Sequence, residues 1–250
     1  CRSELRSFGE SGVLEKIREV GGEVFALTSE PQSLASEAQE AWGIGFASIG
    51  DPHHEIRDTC QERGIVNVFS NPDFGHLDSR PWASHLKGYF QPAVVAIASN
   101  SRVLYRWRCR PTRKNMSGAG QRPTAEYVWS QVENQLVHGS KDVELDESPE
   151  FALTDVSWFM FLSIMLAHGW FIRPKAFPLA RKGDKRSARP SRMRRRIALF
   201  VAAWAVAFVL FPVGWVVSSL VLWGALVWPG IATVNRQFQN ISEAEPPLRS

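Results

Sequence analysis

The chain has 250 residues with 29 Lys and Arg, 25 Asp and Glu, a formal charge of +4 and three cysteines. Three cysteines in this length exclude a disulfide framework. The charge is local. Residues 1–137 hold 15 basic and 16 acidic side chains, which argues against a nucleic-acid footprint, while residues 173–196 hold 11 Lys and Arg and one acid.

The chain opens Cys1-Arg2-Ser3-Glu4-Leu5, without Met, and reads as a fragment that begins inside an active-site motif. Leu5, Phe8, Val13, Leu14 and Ile17 predict one helix over 3–20, ended by Gly21-Gly22. A cysteine at a helix N-terminus meets free backbone N–H groups and the positive end of the helix dipole. Both favour a thiolate, and a neighbouring Arg2 adds to the effect.

Residues 23–28 predict a buried strand. Residues 31–42 predict a helix opened by Pro31 and closed near Gly43. A short strand over 45–49 and a helix over 53–63 follow, and then the apolar run 64–69. His53-His54, flanked by Asp51 and Glu55, reads as a solvated helix start and not as a metal site, because no second ligand pair stands at a recognised spacing. Residues 91–97 and 102–107 predict a hairpin with Pro92 at its entrance. A helix over 124–137, capped by Thr124, closes the unit. Alternating strands and helices of these lengths imply an α/β fold with a parallel or mixed sheet.

Cys1, Glu4 and Phe8 resemble the motif around the reactive cysteine of the thioredoxin superfamily, specifically its peroxiredoxin-like branch (alkyl hydroperoxide reductase and thiol-specific antioxidant proteins). The resemblance covers residues 1–137 and implies an N-terminally truncated thioredoxin-like fold. It also implies that Pro92 is a cis-proline facing Cys1, and that chemistry passes through Cys1 with Arg2 and Pro92 shaping the site. Peroxiredoxins carry an arginine just before the strand that Pro92 starts. This chain has Tyr89-Phe90-Gln91 there, which leaves Arg106, Arg108 and Arg110 of the hairpin as the cations within reach. Cys109, in its basic setting, reads either as a resolving thiol or as an inert one, with the inert reading favoured, and Cys60 reads as a half-buried helix residue.

The rest is different material. Residues 138–155 read as an acidic linker, 156–172 as a transmembrane or interfacial helix, and 173–196 as a basic loop held on the cytoplasmic side. Residues 197–232 carry no charge. Fully helical they would measure about 54 Å, against roughly 30 Å of hydrocarbon. Phe211-Pro212-Val213-Gly214 interrupts the run, so it reads as a transmembrane helical hairpin followed by a polar tail, 233–250.

The combined expectation is an integral membrane protein, in a membrane the sequence does not specify. Its redox domain would take a peroxide or disulfide substrate and an external thiol reductant, with no cofactor, no metal and no nucleic acid. The alternative is a non-enzymatic membrane protein whose thioredoxin-like domain is a binding or assembly module.

Overall fold

The computed structural model describes residues 2–71, 87–110, 122–151 and 190–238. Cys1, the expected helix at 156–172, most of the basic loop and most of the polar tail lie outside the described residues.

The first helix is two helices, α1 (Arg2–Glu10) and α2 (Val13–Glu19). The break falls at Gly12, whose φ of 74° lies in the left-handed region that glycine enters without a Cβ penalty. Apolar spacing alone did not reveal it, because Phe8, Leu14 and Ile17 still turn inward on both sides of the break. Strand β1 (Phe25–Thr28) pairs in parallel with β2 (Ala47–Gly50) through helix α3 (Gln32–Trp42). β1 was expected to be buried, yet Phe25 is 60% exposed and Leu27 39%. Its side chains alternate between faces, and Val24 and Ala26 meet the core.

Two glutamines of α3 reach β2. Gln32 bonds the Ser48 carbonyl and the Gly50 N–H, and Gln39 accepts from the Ser48 N–H at 2.7 Å. Gly50 is needed there: a Cβ would stand 2.5 Å from the Glu30 carbonyl oxygen and from the Gln32 nitrogen.

Helix α4 (Glu55–Glu62) is started by buried Asp51, whose carboxylate accepts from the N–H groups of Ile56 and Arg57. His54 departs from the solvated reading. It is 3% exposed, sits 3.1 Å from the Gly88 carbonyl through Nε2, and packs on the Phe90 ring. Its positive φ of 64° turns the side chain in while His53 stays out.

Strands β3 (Ser70–Asn71) and β4 (Tyr89–Phe90) form a short antiparallel pair. Hairpin β5 (Ala93–Ile97) and β6 (Val103–Arg108) is longer, and every residue of β6 is buried. Helix α5 (Ala125–His138), capped by the Thr124 hydroxyl, packs on it through Val128, Trp129 and Val132. Val103, Tyr105 and Trp107 join that core. Arg106 and Arg108 turn the other way: Arg106 donates to the carbonyls of Gly64 and Ile65, and Arg108 to that of Asn67.

The acidic stretch expected as a linker is a packed strap over residues 142–151. The N–H groups of Val143 and Asp146 donate to the carbonyls of Val103 and Arg106, on the edge of β6 that β5 leaves open. Asp142 accepts from the Val103 N–H, and Asp146 accepts from the hydroxyls of both Tyr105 and Tyr127. Phe151 bridges to Pro123 and packs edge-on against Trp107.

Helices α6 (Pro190–Leu210) and α7 (Val213–Phe238) are joined by Phe211-Pro212, at the expected interruption. Among the described residues, Val213–Ala232 is the one helix long and apolar enough to cross a membrane.

Candidate functional site at the start of α1

Helix α1 begins at Arg2, immediately after Cys1 in the sequence. The Arg2 side chain, like Cys1, lies outside what the structure describes. The description of the site therefore begins at Glu4, in the first turn.

Glu4 and Phe8 share one face of α1, four residues apart. Phe8 turns into the core and meets Phe46 edge to face at 6.3 Å. That face carries Glu4 inward as well. The Glu4 side chain is 17% exposed and forms an ion pair at 2.9 Å with Nε of Arg122, itself 5% exposed. Burial pushes the Glu4 carboxyl above its ordinary range, while Arg122 pulls it back down. Burial likewise lowers Arg122, and Glu4 opposes that shift. Each charge is held in a weakly solvated place by the other.

Cys109 stands within electrostatic reach of Arg122. It is 1% exposed, and burial pushes its thiol up to about 12 against the pull of the arginine. The basic setting of the sequence thus fails to make it reactive: Arg106 and Arg108 point to the other side of β6, and desolvation outweighs the remaining cation. Placed so, Cys109 is a protonated core thiol. Cys60 is partly buried, and its thiol is also raised.

Pro92 meets Cys109 across the mouth of the hairpin, where its carbonyl accepts from the Cys109 N–H at 2.7 Å. The peptide before Pro92 is trans, contrary to the cis-proline that the resemblance implied. Pro92 here continues an extended chain. The Gln91 N–H bonds the Phe69 carbonyl on one side of it and β5 starts on the other, so neither neighbour demands a reversal. The expected placement of Pro92 opposite Cys1 lies outside the described residues.

Three of the elements named from the sequence therefore converge: the first turn of α1, Cys109 and Pro92. The arginine at this centre is Arg122, while Arg106 and Arg108 donate to backbone carbonyls elsewhere. Sequence reasoning missed it because Arg122 lies in no strand or motif. A signal was available: an acid on the buried face of an amphipathic helix requires a cation.

Comparison with protein-family models, curated proteins and solved structures finds no match to this chain.

Proposed function

We propose that the chain is a membrane-anchored thiol oxidoreductase of thioredoxin-like fold, working through Cys1. The buried Glu4–Arg122 pair under the first turn of α1, three residues after Cys1, carries this reading. A buried ion pair is a costly way to hold a helix in place if packing is all that is required. At this position it fixes the helix end whose dipole would stabilise a thiolate. The order of helix, parallel β-α-β unit, hairpin and final helix supports this reading, while among the described residues the strands form three separate two-stranded sheets.

In the proposed reaction the Cys1 thiolate attacks one sulfur of a substrate disulfide. The substrate S–S bond breaks, a mixed disulfide to Cys1 forms, and the displaced thiolate takes a proton from solvent. An external thiolate then attacks the mixed disulfide, so the reductant is oxidised and Cys1 is released as a thiolate. The sealed position of Cys109 favours this external thiol over an internal resolving step. A disulfide is preferred to a peroxide, because Arg122 is occupied by Glu4 and Arg106 and Arg108 by backbone carbonyls.

The anchor is the α6–α7 hairpin. Val209, Leu210, Trp215, Leu222 and Leu226 are all more than 60% exposed, on helices whose sequence carries no charge from 197 to 232. Apolar surface so continuous is stable in lipid and not in water.

Stopped-flow kinetics of the full chain in detergent test the activity. Reduction of a disulfide substrate should depend on Cys1, vanish in C1S, and outpace oxidation by hydrogen peroxide. Fast oxidation by micromolar peroxide would restore the peroxidase reading. A Cys1 that reacts no faster than Cys60 would leave the domain a binding or assembly module.

A further inference from the structure

We infer that the α6–α7 hairpin enters and leaves the bilayer by the same face, with its tip held inside the hydrocarbon; this rests on the membrane-anchored reading above. Four observations combine.

The first is register. The rings of Phe200 and Trp223 meet at 5.7 Å. Each lies 11 residues from the connection, since 211 − 200 = 11 and 223 − 212 = 11. The helices are therefore an antiparallel pair in step. Arg196, 15 residues before Phe211, stands level with Val227, 15 residues after Pro212, and so beside Trp228-Pro229.

The second is length. From that level to the tip, Ile197–Leu210 is 14 residues and Val213–Trp228 is 16. At these lengths the arms reach about 21 Å and about 24 Å, against roughly 30 Å of hydrocarbon core. The α6 arm, bounded by Arg196, is the shorter and sets the depth of the tip, although the apolar part of α7 continues to Ala232 and is by itself long enough to cross.

The third is the boundary at the open end. Arg192, Arg194, Arg195 and Arg196 crowd the start of α6, where the helix dipole disfavours cations and where the first turn carries no acid. Anionic lipid headgroups attract a cationic run of this kind. On the other arm Trp228 is 65% exposed, an amphipathic ring suited to the interface. Pro229 follows it inside α7 and removes one helix hydrogen bond, which allows the chain to bend out along the surface.

The fourth is the tip. Between residues 197 and 217 the only side-chain polar groups are the indole N–H groups of Trp204 and Trp215. The connection is partly bonded. The Phe211 N–H donates to the Ala207 carbonyl, those of Trp215 and Val216 to the Pro212 carbonyl, and Pro212 has no N–H to satisfy. A tip with no charged, amide or hydroxyl side chain suits hydrocarbon.

The test places a cysteine at the tip, V213C, in the full chain in sealed membranes, and reads labelling by a membrane-impermeant maleimide at that residue by peptide mapping. I231C serves as the surface position. Expected is retention in the membrane after carbonate washing, with residue 213 labelled at less than about a tenth of the detergent-solubilised level from either side, and residue 231 labelled from one side only. Full labelling of residue 213 from the side opposite residue 231 would overturn the inference while leaving the anchor intact. Release by carbonate would overturn the anchor, and this inference with it. W215C repeats the measurement if V213C does not insert.

Discussion

Removing Arg122 should loosen the start of α1 in a pH-dependent way. In R122M the Glu4 carboxyl keeps its burial and loses both the charge and the bonding of the guanidinium. Removing one partner of a buried pair costs about 3–5 kcal/mol, because the other charge is left uncompensated. The adjacent probe is Cys109, which is 1% exposed and faces the same arginine. If Cys109 is alkylated only when this region opens, a loss of that size raises its rate by about two to three and a half powers of ten.

The sign with pH follows from Glu4. Its folded pKa is already above the ordinary 4.5, and without Arg122 it rises further. A carboxyl raised on folding binds more protons folded than unfolded, so stability falls as pH rises from the unfolded value through the folded one. R122M should therefore be less impaired at pH 5 than at pH 8. The double variant E4L/R122M removes both charges and fills the space with apolar atoms, so it should recover most of the loss. The assay is alkylation of the full chain in detergent, mapped to Cys109, at several pH values for wild type, both single variants and the double. A pH-independent loss in R122M, or a double variant equal to the sum of the singles, would refute the pairing argument.

Among the three native thiols, Cys1 should alkylate fastest at neutral pH, with Cys109 silent in the folded protein and Cys60 between them; mass-mapped rates against pH decide the order. D146N should free the strap from Tyr105 and Tyr127, which both donate to that carboxylate, at about 1.5–3 kcal/mol for a bond to a charged acceptor; faster proteolysis within 142–151 would be the readout. G50A should destabilise by about 1–3 kcal/mol, because the new Cβ meets backbone at 2.5 Å and nothing there can swing aside; denaturant unfolding in detergent measures it. In microsomes the sequon at Asn240 should stay unmodified, since a one-sided hairpin keeps the tail with the basic loop; glycan addition at Asn240 would exclude that topology.

Several element boundaries were legible because their signals are local. The Pro31 and Gly43 boundaries of α3, the Thr124 cap of α5 and the interruption at Phe211-Pro212 each depend on a few adjacent residues. The strap was not legible. Asp142 and Asp146 look like solvent-seeking acids until β6 supplies the Val103 N–H and the Tyr105 hydroxyl, and α5 the Tyr127 hydroxyl, 19 to 41 residues away in the chain. His54 misled for a related reason, since its burial depends on a positive φ and on a ring, Phe90, that arrives from a different element.

The site shows the same division. The helix that begins at Arg2 and the place of Pro92 at the hairpin mouth come from local pattern, and Cys109 lies beside Pro92 because the hairpin register puts it there. What the pattern misassigned was the direction of charge. A run such as Arg106-Trp107-Arg108-Cys109-Arg110 suggests a cationic thiol, but alternation along β6 sends Arg106 and Arg108 to one face and the core residues to the other. The cation that does reach Cys109 arrives from outside the strand and is bound to Glu4. Because Arg122 faces both Glu4 and Cys109, it couples the first turn of α1 to the hairpin mouth. Any movement of α1 that separated Glu4 from Arg122 would therefore act on Cys109 in two ways: a less compensated guanidinium would stand beside it, and the core around the thiol would loosen. Burial and charge would then shift its pKa in the same downward direction.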